Sequence, residues 1–205
     1  GKIQALVGQQ ILVKYQETAN QYDNPVSHEK GVLFVGTEIN GGTAGSVTWN
    51  KSAGPYFVSS TYQVNTGDTL TIQPGTKIFF PVNTDLHSEG VKLLIYGQLA
   101  TIGTQTDSIT FATVNSQPTA DDWEGLYIYN GSLKLKYGSI RNSEYGVRWE
   151  YSFDPSTRYN LIRHTSFIRN KTALRQYTYD ASNCSFVIDS NHIELFANAD
   201  SSSFA

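Results

Sequence analysis

Two groups of side chains in this 205-residue chain have the types to do chemistry: scattered carboxylates, and a file of tyrosines and arginines. Asp121-Asp122 stands before Trp123 in a polar stretch, and Asn83-Thr84-Asp85 lies upstream. Glycoside hydrolysis works through two acids held about 5–10 Å apart across a sugar. Nothing in the spacing brings Asp85 to Asp122, and two polar loops explain the same residues, so no catalytic residue is assigned. The tyrosine and arginine file is more ordered. If Leu126, Val147 and Leu174 face inward on successive strands, alternation turns Tyr127 and Tyr129, Arg148 and Glu150, and Arg175 and Tyr177 outward. Stacked about 4.8 Å apart, these form a ridge of aromatic, guanidinium and carboxylate groups. That is the chemistry of a weak glycan contact, because sugar rings lie on aromatic faces while Arg and Glu supply directional hydrogen bonds. Tyrosine is also a good strand former, and that plainer explanation stands beside the first.

Charge adds a partner class. Between Lys134 and Arg175 nine Lys/Arg stand against three acids (Glu144, Glu150, Asp154), although the whole chain carries −3. Such asymmetry suits an acidic glycan or an acidic partner subunit, and equally a solvated flank. The overall acidity, with a pI near 5.8, argues against a general nucleic-acid binder. No apolar run approaches the ~18–20 residues of a membrane span.

Other chemistry is poorly represented. His28, His87, His164 and His192 lack metal-ligand spacing, so neither a metal nor a cofactor is expected. The single cysteine, Cys184, excludes an intrachain disulfide and a Cys-based zinc site. There is no Gly-x-Ser-x-Gly elbow and no P-loop. Asn50, Asn130, Asn170 and Asn183 open glycosylation sequons, a number that a Ser/Thr-rich chain reaches by chance. Only 16% of residues are charged, which suits a β-rich extracellular protein. The chain contains no methionine, even at position 1, and reads as a processed product or an excised piece.

The elements that must position these residues are short strands. VTW (47–49), TLTI (69–72), KIFF (77–80), KLLIYG (92–97) and SITFAT (108–113) are each closed by Gly, Pro, Asn or Asp. Later segments look like variants of one unit. Apolar pairs five residues apart recur at Leu135/Ile140, Ile162/Phe167 and Ile188/Ile193, in steps of 27 and 26 residues; Ile72 to Ile95 gives a step of 23. Units of this size with two or three strands each cannot bury an apolar face alone and must stack. Gly67, Gly75, Gly97, Gly103 and Gly146 are expected at corners, with Asn142, Asn170 and Asn191 bonding nearby backbone there. Residues 1–36 are only weakly periodic, and strand signals become regular from about Thr37. The chain therefore divides into an N-terminal extension or cap over 1–44 and a stacked β-unit over 45–205.

Three segments carry a family resemblance: TWNKSAGPYFV…YQVNTGDTLTIQPGTKIFF, LLIYGQLATIGTQTDSITFAT and DDWEGLYIYNGSLKLKYGSIRNSEYGV. Over roughly residues 45–196 the chain resembles right-handed parallel β-helix proteins of bacterial and archaeal surfaces, built on the pectate-lyase-like scaffold. The resemblance implies an all-β, right-handed parallel β-helix (a solenoid) with a short N-terminal extension. It is specific for fold and poor for function, since that scaffold carries lyases, hydrolases, adhesins, phage spikes and inert stalks. Polygalacturonases of the family carry NTD and DD elements, matched here by residues 83–85 and 121–122. Their Gly-His and Arg-Ile-Lys elements are missing, because Arg163 precedes His164 and Gln176-Tyr177 follows Arg175. The Arg-x-Pro-x-x-Arg pattern of pectate lyases is absent as well. The reading is thus a secreted or cell-surface structural or adhesive module, not an enzyme. Its expected partners are copies of itself, the rest of a longer surface protein, or a polysaccharide. End-to-end assembly is expected from open terminal coils. A polysaccharide lyase or glycoside hydrolase, and a viral receptor-binding spike, are the alternatives.

Overall fold

The computed structural model describes residues 11–13, 31–33, 36–84, 89–151, 158–178 and 184–195. Among them the chain is all-β, without a helix. Strands β1 (Ile11–Val13) and β2 (Gly31–Leu33) form a small antiparallel pair. Every later strand pairs in parallel. β3 (Thr37–Ala44) and β4 (Val47–Trp49) are followed by β5 (Tyr56–Val64), β6 (Thr69–Ile72) and β7 (Lys77–Phe80). The next group is β8 (Lys92–Ile95), β9 (Gln98–Ile102) and β10 (Ile109–Thr113), then β11 (Trp123–Tyr129), β12 (Ser132–Lys136) and β13 (Gly138–Arg141). The last two groups are β14 (Ser143–Tyr151), β15 (Arg158–Arg163) and β16 (Ser166–Asn170), and β17 (Thr172–Thr178), β18 (Cys184–Asp189) and β19 (His192–Leu195).

From β5 onward each strand pairs with the third strand after it, so each tier of three lies on the tier before. β5 pairs with β7 through Tyr56 and Phe57 and with β8 through Tyr62 to Val64. It thereby joins two stacks into one eleven-stranded sheet, which faces a six-stranded sheet running from β4 to β18. The parallel strands make a nearly closed wall around a single apolar interior. β3 already pairs with β5, so the parallel stack takes in residues 37–44, which the sequence division left in the extension. The rest of that extension, apart from β1 and β2, and the residues after 195 lie outside the described residues. The expected cap and the expected end-to-end contact fall largely there.

Alternation explains why these segments are strands. Ile109, Phe111 and Thr113 of β10 point inward and are buried while Thr110 and Ala112 are half-buried, a period of two that fits a one-sided sheet. Inward residues then line up tier by tier. Tyr62, Leu93, Leu126, Val147 and Leu174 form one row, and Tyr56, Ile78, Phe111, Ile140, Phe167 and Ile193 another. Leu93, Leu126 and Val147 are fully buried; each such side chain contributes about 1.5–3 kcal/mol relative to exposure. The third row passes from Leu133 to a polar residue, Asn160. There the amide oxygen accepts from Leu133 N and Trp149 Nε1, both at 3.1 Å, and the amide nitrogen donates to the Tyr151 hydroxyl at 2.9 Å. A buried amide with its partners supplied does not weaken the row.

The steps of 27 and 26 residues are tier repeats, since Leu135, Ile162 and Ile188 pair in series, as do Ile140, Phe167 and Ile193. The step from Ile72 to Ile95 is not one. Ile72 pairs with Trp49 and Thr101, whereas Ile95 sits in another stack against Val64 and Ile128. Loops of unequal length between strands make tier size vary, so a similar interval can join different sheets. Asn170 and Asn191 do serve the backbone as expected. Asn170 accepts from Ser143 N at 3.0 Å and donates to Ile140 O at 3.0 Å; Asn191 accepts from Thr165 N and donates to Ile162 O. Asn142 contributes a left-handed backbone (φ 60°), while its Nδ2 has no partner among the described residues. Gly146 is not at a corner but inside β14, as the extra residue of a bulge opposite Gly125 and Leu126.

Candidate functional site

The outward face of β11, β14 and β17 carries the tyrosine and arginine file, in the register expected from sequence. Tyr127 pairs with Arg148 and then Arg175, and Tyr129 with Glu150 and then Tyr177. The side chains form one aromatic and guanidinium block. The Arg148 guanidinium lies 4.9 Å, 5.1 Å and 5.7 Å from the ring centres of Tyr127, Tyr145 and Tyr177. Arg175 lies 5.6 Å and 5.2 Å from those of Tyr145 and Tyr177. Each such contact contributes about 0.5–2 kcal/mol, more where water is excluded. Arg148 also forms an ion pair with Glu150 and donates to the Tyr127 hydroxyl at 3.3 Å.

These six residues do different work. Tyr127 is 7% exposed, with Lys92 Nζ 4.8 Å from its ring centre on one side and Arg148 on the other. Its hydroxyl donates to Glu124 Oε2 at 2.5 Å. Burial first, and the Glu124 carboxylate second, raise its pKa well above the ordinary tyrosine value, so it stays a neutral donor. Tyr127 is therefore an internal post, with neither face open to a sugar. Burial works against the Arg148 charge, but Tyr127 and Glu150 outweigh it and raise its pKa. Tyr129 packs on Tyr96, with ring centres 5.1 Å apart. Tyr177 is 50% exposed and Arg175 is half-buried, and Arg175 makes no ion pair among the described residues. These two give the face its accessible aromatic and cationic groups.

Alternation alone omits two members of the block. Tyr145 reaches Arg148 and Arg175 because the Gly146 bulge turns it onto their face; a glycine inside a strand-like run is the available signal for such a bulge. Gly125 faces it with φ +125°, and a Cβ there would sit 1.7 Å from Tyr145 O. Lys92 enters from the tier before, where it pairs with Gly125.

Beside this block lies a cleft of about 620 Å³. The β7–β8 connection supplies Asn83 and Glu89, the β10–β11 connection supplies Asn115, Thr119, Asp121 and Asp122, and Glu124, Glu144 and Lys171 complete the wall. Asn83 and the Asp121-Asp122 pair, distant in sequence, thus share one site, joined by Asn83 N donating to Asp122 O at 2.6 Å. Asp85 and His87 lie outside the described residues, as do His28 and Asn183. Asp122 Oδ1 accepts from Thr119 Oγ1 at 2.5 Å and from Asn115 Nδ2 at 3.3 Å. Glu124 Oε1 accepts from Gly90 N at 3.0 Å, so the same carboxylate serves both cleft and tyrosine block. Lys171 Nζ lies 3.3 Å from Glu144 Oε1; burial acts to lower its pKa, and Glu144 and Asp121 more than offset that, raising it. Hydrogen bonding and attraction from Lys92 lower the pKa of Glu89.

No group of three or more His, Cys, Asp or Glu among the described residues is placed to hold a metal ion. His164 stacks on Tyr137, with ring centres 4.7 Å apart. Of the sequon asparagines, Asn170 is 1% exposed with both amide atoms engaged, which closes it to a glycan. No helix among the described residues is long and apolar enough to cross a membrane. Compared with protein families, curated proteins and solved structures, the chain matches none.

Proposed function

We propose that the chain is a right-handed parallel β-helix module of a secreted or cell-surface structural or adhesive protein, a rigid shaft that contacts glycans through its Tyr/Arg face. The observation that carries this reading is the register of β11, β14 and β17, which leaves Tyr177 half exposed beside the half-buried Arg175, beyond a packed base of Tyr127, Tyr145 and Arg148. A half-open tyrosine next to a guanidinium offers a sugar a stacking face and two directed donors. Their charge favours acidic sugars over neutral ones. The low charge content of the chain is in keeping with an extracellular setting.

The test is calorimetric titration with a homogeneous galacturonate oligomer, run beside a neutral oligomer of the same length. The wild-type chain should prefer the acidic oligomer, and Arg175→Ala or Tyr177→Ala should each weaken binding by about tenfold, the equivalent of about 1.4 kcal/mol. Equal affinity in wild type and both variants, or no binding by wild type, would show the face to be structural only. Polysaccharide cleavage is the second reading, favoured by the several carboxylates lining one cleft. New reducing ends after incubation with the same oligomers would support it, and their absence would count against it for these substrates.

A further inference from the structure

The acid cleft has an unbalanced charge. Among the described residues five carboxylates line it (Glu89, Asp121, Asp122, Glu124 and Glu144) against one ammonium, that of Lys171. Two of the five have cations: Glu89 pairs with Lys92 and Glu144 with Lys171. Lys171 also attracts Asp121, whereas Asp122 and Glu124 are held, in the contacts described, by neutral donors. Glu124 accepts from Gly90 N and the Tyr127 hydroxyl and Asp122 from the Thr119 hydroxyl and Asn115, while Asp121 Oδ1 lies 3.1 Å from the same Thr119 oxygen.

Asp122 stands out among them. It is 2% exposed, it lines the cleft, and its Oδ2 has no hydrogen-bond partner among the described residues. A buried carboxylate oxygen left unpaired carries a desolvation cost that a cation or a donor would relieve. A metal ion does not fit the described residues, which lack a set of three ligands. An organic ammonium does fit, since it needs only acceptors around a single charge. The walls narrow the class further. Among the described residues Val82 is the one apolar member of the lining, and Asn83, Asn115 and Thr119 offer amides and a hydroxyl. A lysine side chain or a polyamine would need apolar surface for its methylene stem. A hydroxylated ring uses amides and hydroxyls instead, and the volume lies within the ~300–1,000 Å³ of small-molecule sites.

We propose that this cleft binds an amino sugar, its ammonium against Asp121 and Asp122 and its ring hydroxyls on Asn83, Asn115 and Thr119. The site lies beside the Tyr/Arg face, takes a ligand of opposite charge, and stands whether or not that face binds acidic glycans.

Calorimetric titration of the full chain with a glucosamine tetramer, its fully N-acetylated counterpart and spermidine tests the assignment. At mildly acidic pH and low salt, the glucosamine tetramer should bind at least about tenfold more tightly than the other two. Asp121→Asn, at an exposed position, and the isosteric Asp122→Asn should each cost about tenfold or more. Arg175→Ala should leave this binding unchanged, which separates the cleft from the Tyr/Arg face. Circular dichroism of each variant checks the fold. Equal binding of the acetylated tetramer overturns the role of the ammonium, and equal or tighter binding of spermidine overturns the sugar. Full retention of affinity in a folded Asp121→Asn variant, or no binding by wild type, overturns the site.

Discussion

At the scale of single residues, burial decides what each tyrosine on the outer face can do. Tyr127 and Tyr177 sit two tiers apart and come from the same alternation, yet one is enclosed and the other half open. Sequence gave their register through Leu126, Val147 and Leu174. It did not give the enclosure, because Lys92 and Arg148 cover Tyr127 from the tiers on either side. The enclosure has a pH signature. Burial raises the pKa of Tyr127 and of Tyr151 above the ordinary value of 10.0. The unfolded chain then loses these protons first, so the stabilisation is complete below about pH 10 and declines as pH rises through and above it. Urea unfolding across that range should show the decline, and Tyr127→Phe should flatten it. The same variant removes the donor to Glu124 and is expected to cost about 1–3 kcal/mol at neutral pH. An unchanged alkaline slope in Tyr127→Phe would show that Tyr127 ionises as freely in the folded chain as in the unfolded one.

At the scale of elements, strand boundaries were the most legible feature. TLTI and KIFF are β6 and β7 to the residue, since alternation and flanking turn residues agree there. Tier length was less legible, as the step from Ile72 to Ile95 shows, because the connections after Phe80 and after Thr113 are longer than the others around them. The cleft is built from those two connections and the strands they reach, so its residues gather only after the tiers stack. Spacing and alternation along the chain do not relate Asn83 to Asp122; only the resemblance of 83–85 and 121–122 to NTD and DD elements named both segments. The bulge at Gly146 was hidden for a related reason: the glycine hints at it, but the one-residue shift in alternation is fixed only by pairing with the neighbouring tier. Gly125 is the matching constraint. Its positive φ and the 1.7 Å approach of a would-be Cβ to Tyr145 O leave no room for a side chain. Gly125→Ala should lower stability by more than about 2 kcal/mol in denaturant unfolding and loosen the Tyr145 and Arg148 contacts. Wild-type stability in that variant would mean that β11 and β14 do not approach as closely as described.

At the scale of the whole molecule, the stack converts a chain of short, individually weak strands into one continuous wall with rows of like position along it. Two surfaces of opposite character result, an acid-lined cleft and a tyrosine and arginine face, sharing Glu124 at their border. Both depend on the same register of β11, β14 and β17, which makes that register the central claim. It is open to direct chemical measurement. Parallel neighbours lie about 4.8 Å apart, within disulfide reach when their side chains share a face. In a Cys184→Ser background, Glu150→Cys with Tyr177→Cys pairs two outward residues in register. Glu150→Cys with Gln176→Cys pairs residues one position out of register, on opposite faces. Mild oxidation followed by mass spectrometry should find the first pair cross-linked and the second reduced. A disulfide in the second pair and none in the first would mean that β14 and β17 are shifted by one residue, and neither surface would then exist as described.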